Sequence, residues 1–278
     1  MNLSWLQSII LGLISGLTDI LPVSAQAHKA ILLKLFGINS EPLVLRFLIH
    51  VSTFAALYYC CQNQIMRISR QLKLARIPKK RRKRPLDMRT LMDFKLLRMM
   101  LIPVIFSFLI YDKVSVWNNS LNWIALFVLL NAVILYFPVL MPSGNKDSRS
   151  LTPLEGVLMG LGGAISIVPG FSAVGATTSI SLLRGTDRMF ALNMSLLLHM
   201  GVTAGLVVID VIAMATVGIG SISFGAIVVC ILAAPAAFSG VYLGIKIMRT
   251  LAINIGFNIF AYYCLGVSLF SFILFLTA

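Results

Sequence analysis

Apolar residues in this chain fall into long unbroken runs separated by short polar connectors, with no strand-like alternation. Six runs, at 43–62, 97–112, 121–141, 190–217, 221–247 and 251–277, are close to the roughly 17–25 residues that a helix needs to cross a bilayer. They predict six transmembrane helices. Two more apolar stretches, 3–36 and 151–185, break near the middle at proline and small polar residues: LPVSAQAH in the first, VPGFSAVGATTS in the second. Each is expected to form a re-entrant hairpin, a helix, a turn and a helix leaving on the side it entered.

Composition agrees with an all-α integral membrane protein forming one polytopic domain over 1–278. Hydrophobic residues make up 59% of the chain and charged residues only 12%, outside the range of a soluble domain of this length. Cys60, Cys61, Cys230 and Cys264 all lie in apolar runs without metal-ligand spacing, which predicts buried packing and no disulfide framework. The opening MNLSWLQSIILGLIS lacks a basic leader and a cleavage site, so it is read as part of the mature fold.

Charge adds orientation. Thirteen of the 23 Lys and Arg residues lie between Arg67 and Arg98, so the basic loop at about 63–96 is expected on the cytoplasmic side. Its KKRRKR run (79–84) reads as a topology determinant touching anionic lipid, and nothing else in the chain favours nucleic acid. With both interrupted stretches re-entrant, Lys146, Arg149, Arg184, Arg188, Lys246 and Arg249 join that loop inside, leaving Lys29, Lys34, Arg46 and Lys113 towards the outside. Full crossings would put the connectors at 143–150 and 185–189 on opposite faces and weaken this bias.

The interrupted stretches also resemble each other at a shift of 147 residues, which aligns Gly16 with Gly163, Asp19 with Ser166 and Pro22 with Pro169. Entered from opposite faces, they form inverted repeats. Non-helical backbone at membrane depth persists only where protein or a wet cavity satisfies it, so the two breaks should meet and line a polar site.

SGLTDILPVSAQAH (15–28) resembles EGLTEFLPVSSTGH, the first signature of the bacitracin-resistance type undecaprenyl-diphosphate phosphatases, and VPGFSAVGAT (168–177) resembles their second, IPGTSRSGAT. FLIHVSTFAA (47–56), LLRGTDRMFALNMSLLL (182–198), AAFSGVYLGIKIM (236–248) and FNIFAYYCLG (257–266) resemble further segments of that family in the same order. The resemblance implies a bacterial plasma-membrane protein that hydrolyses the diphosphate head of a polyprenyl carrier lipid to a monophosphate, assisted by a divalent cation, Mg²⁺ or Ca²⁺, at a site open to the outer face. It leaves room for a homodimer.

By that resemblance, Asp19 is the carboxylate that would hold the cation, and His28, Ser24 and Ser172 are the other catalytic candidates. Pro22, Gly170, Gly175 and Thr177 would meet the substrate, and His50 and Thr53 would support the site from behind. Each has a plainer reading: a paired structural acid, a hydrogen-bonded core histidine, hydroxyls capping helices or turns, glycines serving close packing. Lys29 either supplies compensating charge to the headgroup or snorkels to the interface. His199 and Asp210 have no counterpart in the family pattern, though an intramembrane acid is itself a candidate proton or ion site, or wet at a helix end.

The departures bear on activity. Ser15 stands where the family has glutamate, Ala25 where it has serine and Ala173 where it has arginine. Alanine cannot imitate the planar fork that arginine offers to phosphoryl oxygens, and loss of one strong electrostatic contact commonly costs roughly a hundredfold to a thousandfold in rate. Three functions therefore stand: a phosphatase with a reduced constellation, a protein that binds or translocates the phosphorylated carrier without cutting it, and a transporter of an unrelated small solute on the same scaffold.

Overall fold

The computed structural model describes residues 3–38, 40–142, 144–218, 224–254 and 257–277. Among them the chain is helical, with no strand beyond an isolated bridge between Lys146 and Thr186. In order the helices are α1 (Trp5–Ile20), α2 (Ala25–Leu35), α3 (Leu43–Ala75), α4 (Met88–Ser107), α5 (Tyr111–Ser115), α6 (Leu121–Tyr136), α7 (Pro153–Ala164), α8 (Ala173–Leu183), α9 (Arg188–Thr216), α10 (Phe224–Ile231), α11 (Ala233–Asn254) and α12 (Asn258–Leu276).

Six helical stretches among the described residues are long and apolar enough to cross a membrane: Leu43–Ala75, Met88–Asn118, Leu121–Leu140, Arg188–Thr216, Gly225–Leu251 and Asn258–Leu276. They correspond one for one to the six apolar runs. The start of the run at 221–247 and residues 255–256 of the run at 251–277 lie outside the described residues.

Boundaries differ where apolarity alone set them. The run at 43–62 is the first part of a 33-residue helix, because RISRQLKLA beyond it carries good helix formers that keep hydrogen-bonding outside the hydrocarbon. The part of the basic loop outside α-helices therefore shrinks to about 76–87, with a 3-10 turn at Lys79–Arg81, and is closed by Asp87, which caps α4. Between α10 and α11 the helix breaks at Leu232, three residues before Pro235, whose missing N–H and ring disfavour an unbroken turn there.

The interrupted stretches form two helix–turn–helix units, α1–α2 and α7–α8. Their helices have 16, 11, 12 and 11 residues, each short of the roughly 20 required to span. Capping boxes start both units: Ser4 with Gln7 in α1, Thr152 with Glu155 in α7. Glycine lets them approach their neighbours. A Cβ on Gly16 would lie 2.2 Å from the backbone oxygen of Ala237 in α11, and one on Gly160 would lie 2.1 Å from that of Met100 in α4. With lipid outside as apolar as any side chain, such backbone contact is a main source of helix association.

Polar links fix the far ends. Glu155 at the start of α7 pairs with Lys146 (3.4 Å) and Arg184 (3.5 Å), while Asp93 of α4 takes Arg67 of α3 (3.2 Å) and the Ser148 hydroxyl. The open end of α7–α8 thus lies beside the basic end of α3. The open end of α1–α2 leads instead, through Glu41, into the opposite end of the same long helix.

Gly16→Ala should overpack the α1–α11 contact and cost about 1–3 kcal/mol. A lowered thermal midpoint of the detergent-solubilised protein checks this, and an unchanged midpoint would show that α1 has room to move aside.

Candidate functional site

The turns of the two short units, LPVS (21–24) and VPGFS (168–172), meet in the protein interior. Ser24 caps α2 by accepting from the Ala27 N–H (3.2 Å), and its hydroxyl also accepts the Gly170 N–H from the other turn (3.1 Å). Ser172 caps α8 by accepting from the Gly175 N–H (3.1 Å), and donates back to the Leu21 carbonyl (3.2 Å). Asn131 of α6 bridges both turns: its amide nitrogen donates to the Pro22 carbonyl (3.4 Å) and its oxygen accepts the Ser172 N–H (3.1 Å). Gly170 has φ +112°, a conformation that L side chains rarely adopt, and a Cβ on Gly175 would lie 2.7 Å from Pro22.

Beside this clasp lies a cavity of about 50 Å³. Ser15 and Asp19 of α1, the start of α2 at Ala25 and Gln26, and Lys29 one turn on form one wall. Ser166 and the start of α8, Phe171 to Ala173, form another; Ile49 and His50 of α3 and His199, Val202 and Leu206 of α9 complete it. Two helix N-termini therefore face one space, where the first-turn N–H groups that the serine caps do not take and the helix dipoles favour an anion.

Ionisable groups at the cavity are paired. His199 Nε2 lies 3.0 Å from the Asp19 carboxylate, Lys29 Nζ lies 2.9 Å from Glu41, and Asp210 receives both His50 Nδ1 (2.6 Å) and Arg46 Nε (2.7 Å). Asp210 is fully buried, whereas a quarter of the Asp19 side chain stays accessible, on the cavity side. Lys29 is buried, and its charge is paired with Glu41 in the connector before α3. Ser15 is buried, and its hydroxyl has no partner among the described residues.

Of the residues singled out in the sequence, Asp19, Lys29, Ser172 and His50 line the cavity; Ser24, Pro22, Gly170 and Gly175 build the clasp beside it. His28 points elsewhere: its Nδ1 meets the Ser24 carbonyl (2.7 Å) and its Nε2 the Tyr263 hydroxyl of α12 (2.8 Å), with the two rings stacked. Thr53 and Thr177 are buried, their hydroxyls unpartnered among the described residues. Arg184, the nearest basic residue to Ala173 along the chain, pairs with Glu155 at the open end of α7–α8.

Sequence reasoning left His199 and Asp210 unassigned and placed Arg46 only by side. Asp210 is neither wet nor alone. An imidazole and a carboxylate inside apolar helices were the available signal, since such groups persist in a membrane chiefly when paired or functional.

Mg²⁺ and Ca²⁺ prefer six or more oxygens including carboxylates. The cavity offers one carboxylate, Asp19, already engaged by His199, the Gln26 amide and a few serine hydroxyls. No group of three His, Cys, Asp or Glu side chains gathers as a metal site among the described residues. This donor set does not fit a resident Mg²⁺ or Ca²⁺ site.

Fold and cavity define a class: multi-pass helical membrane proteins in which two broken helical units bring their turns together around a polar, anion-favouring pocket. The chain matches the family model described as bacitracin resistance protein BacA over residues 8–270, and it belongs to that family. It is 29% identical over 266 residues to an undecaprenyl-diphosphatase of Thermosipho melanesiensis, covering 96% of this chain and 98% of the relative. It is 28% identical to one of Methanobrevibacter smithii (93% of each chain) and 27% identical to one of Halothermothrix orenii (92% of each).

Ser24→Ala and Ser172→Ala should each cost about 1–2 kcal/mol, since each removes a helix cap and a bond across the clasp. Thermal unfolding in detergent checks this. Midpoints equal to the native one would mean that the serines do not hold the turns together.

Proposed function

We propose that this protein acts on a polyprenyl diphosphate in the membrane, cleaving the terminal phosphoryl group of undecaprenyl diphosphate to leave the monophosphate carrier. The observation that carries this reading is the cavity itself. Two helix starts, Lys29, His50 and His199 line it together with one accessible carboxylate, Asp19, which His199 meets, in a chain matching BacA over nearly its whole length. Phosphoryl transfer asks for donors around the phosphoryl oxygens and a group to activate the attacking oxygen, and these residues offer both.

Several features support the finer membrane arrangement. Helices too short to span favour re-entrant hairpins, and their open ends lie at opposite ends of α3, as inverted repeats require. The exposed 79–84 run favours a cytoplasmic, lipid-facing basic connector, with the mouth of α1–α2 towards the outer face. Cysteines placed at Lys80 and Lys34 test it: an impermeant maleimide should reach the second in intact cells and the first only after the membrane is opened. Labelling of both from one side would refute the arrangement.

One observation favours a second reading, binding or translocation without cleavage. Three of the positions that depart from the motifs by losing a charged or hydroxyl group, Ser15, Ala25 and Ala173, line this same cavity. Phosphate release from undecaprenyl diphosphate by the purified protein separates the two, run with Mg²⁺, with Ca²⁺ and with chelator, beside Asp19→Asn. Hydrolysis predicts release that falls by about 10²–10³ in the variant. No release in any arm, with the lipid still raising the thermal midpoint of the native protein, would replace hydrolysis by binding.

A further inference from the structure

We propose that His50 is the proton-transferring group of the cavity and that Asp210, backed by Arg46, is the residue that positions it; this rests on the hydrolytic reading above. Asp210 sits well inside α9, fully buried, where an isolated carboxylate is costly. Two donors converge on it, one on each oxygen: Arg46 Nε on Oδ1 (2.7 Å) and His50 Nδ1 on Oδ2 (2.6 Å).

The tautomer follows. Arg46 is permanently charged and keeps its partner ionised, and an ionised carboxylate only accepts, so the proton between Asp210 and His50 belongs to Nδ1. In the neutral ring Nε2 then carries the free lone pair. His50 lines the cavity, and its Nε2 has no partner among the described residues and is not among the buried atoms sealed from access.

The chain contains three histidines, and the other two are placed differently. Both ring nitrogens of His28 are engaged, by Ser24 and Tyr263. His199 gives Nε2 to Asp19, and its Nδ1 is buried without a partner. His50 alone combines a nitrogen fixed by a buried carboxylate with an open one at the cavity. Such a pairing holds an imidazole in the orientation and tautomer that accept a proton.

Other charged groups around His50 come from each packed element: Asp19 from α1, Lys29 from α2 with Glu41 behind it, His199 from α9, and Tyr111 at the start of α5. Asp112 and Lys113 beside Tyr111 are exposed. Neither α10 nor α11 contributes an ionisable side chain to the lining.

In the step assigned to it, a water oxygen bonds to the terminal phosphorus while one of its protons passes to His50 Nε2. The bond from that phosphorus to the bridging oxygen breaks, and its electron pair stays on the lipid monophosphate. The proton on His50 leaves with the freed phosphate, restoring the neutral ring.

The test is the pH profile of phosphate release by the full-length protein in detergent, native and with His50→Gln, Asp210→Asn or both. Asp210→Asn should lower kcat by about a hundredfold with KM held within about threefold. It should also change the acid limb of the profile, because Asp210 no longer fixes the tautomer and orientation of the imidazole. His50→Gln should abolish that limb, and the double variant should be no slower than His50→Gln alone. A purely structural Asp210 would leave the limb in place, which overturns the proposal, as do near-native rates in both single variants; hydrolysis itself survives either result. Should Asp210→Asn not fold, His50→Gln leaves the Arg46–Asp210 pair intact, and a retained acid limb there is equally fatal. No release by the native protein at any pH removes the hydrolytic reading and this one together.

Discussion

Everything polar inside this protein depends on a requirement of the hydrocarbon environment: backbone groups freed by a helix break must find partners within the protein. Two breaks, at 21–24 and 168–172, would be costly apart. Together each supplies what the other lacks: the Ser24 hydroxyl takes the Gly170 N–H, the Ser172 hydroxyl satisfies the Leu21 carbonyl, and Asn131 closes the remaining gap from α6. Glycines at 170 and 175 permit that approach. The clasp sets where α2 and α8 begin, and hence where their N-termini point.

Charge in the pocket follows the same economy. Lys29 and Arg46 bring two positive charges, Asp19, Glu41 and Asp210 three negative ones, each held by a partner of opposite sign or by an imidazole. Counted over these five residues alone, the carboxylates outnumber the cations by one, and the two helix starts offset this towards an anion. Family members described by the motif place arginine and a further glutamate at positions occupied here by Ala173 and Ser15. In this chain the ionisable groups around the pocket sit on α1, α2, α3 and α9.

Length and hydropathy were enough to determine six long apolar helices and two interrupted units, because a bilayer sets helix length and because the cost of breaking a helix there restricts proline and polar residues to a few places; the motifs at 15–28 and 168–177, not these patterns, pointed to the family. Asp19, Ser24 and Ser172 were singled out by the motif resemblance, and the structure places them at the pocket and its clasp. What only the tertiary structure decided is which ionisable groups meet. His199 lies 180 residues from Asp19, and Asp210 lies 160 from His50; a motif aligned along the chain carries no information about partners on another helix. His28 fits the motif letter for letter yet turns to Tyr263, since the rotation of α2 is set by its packing against neighbouring helices and not by its own sequence.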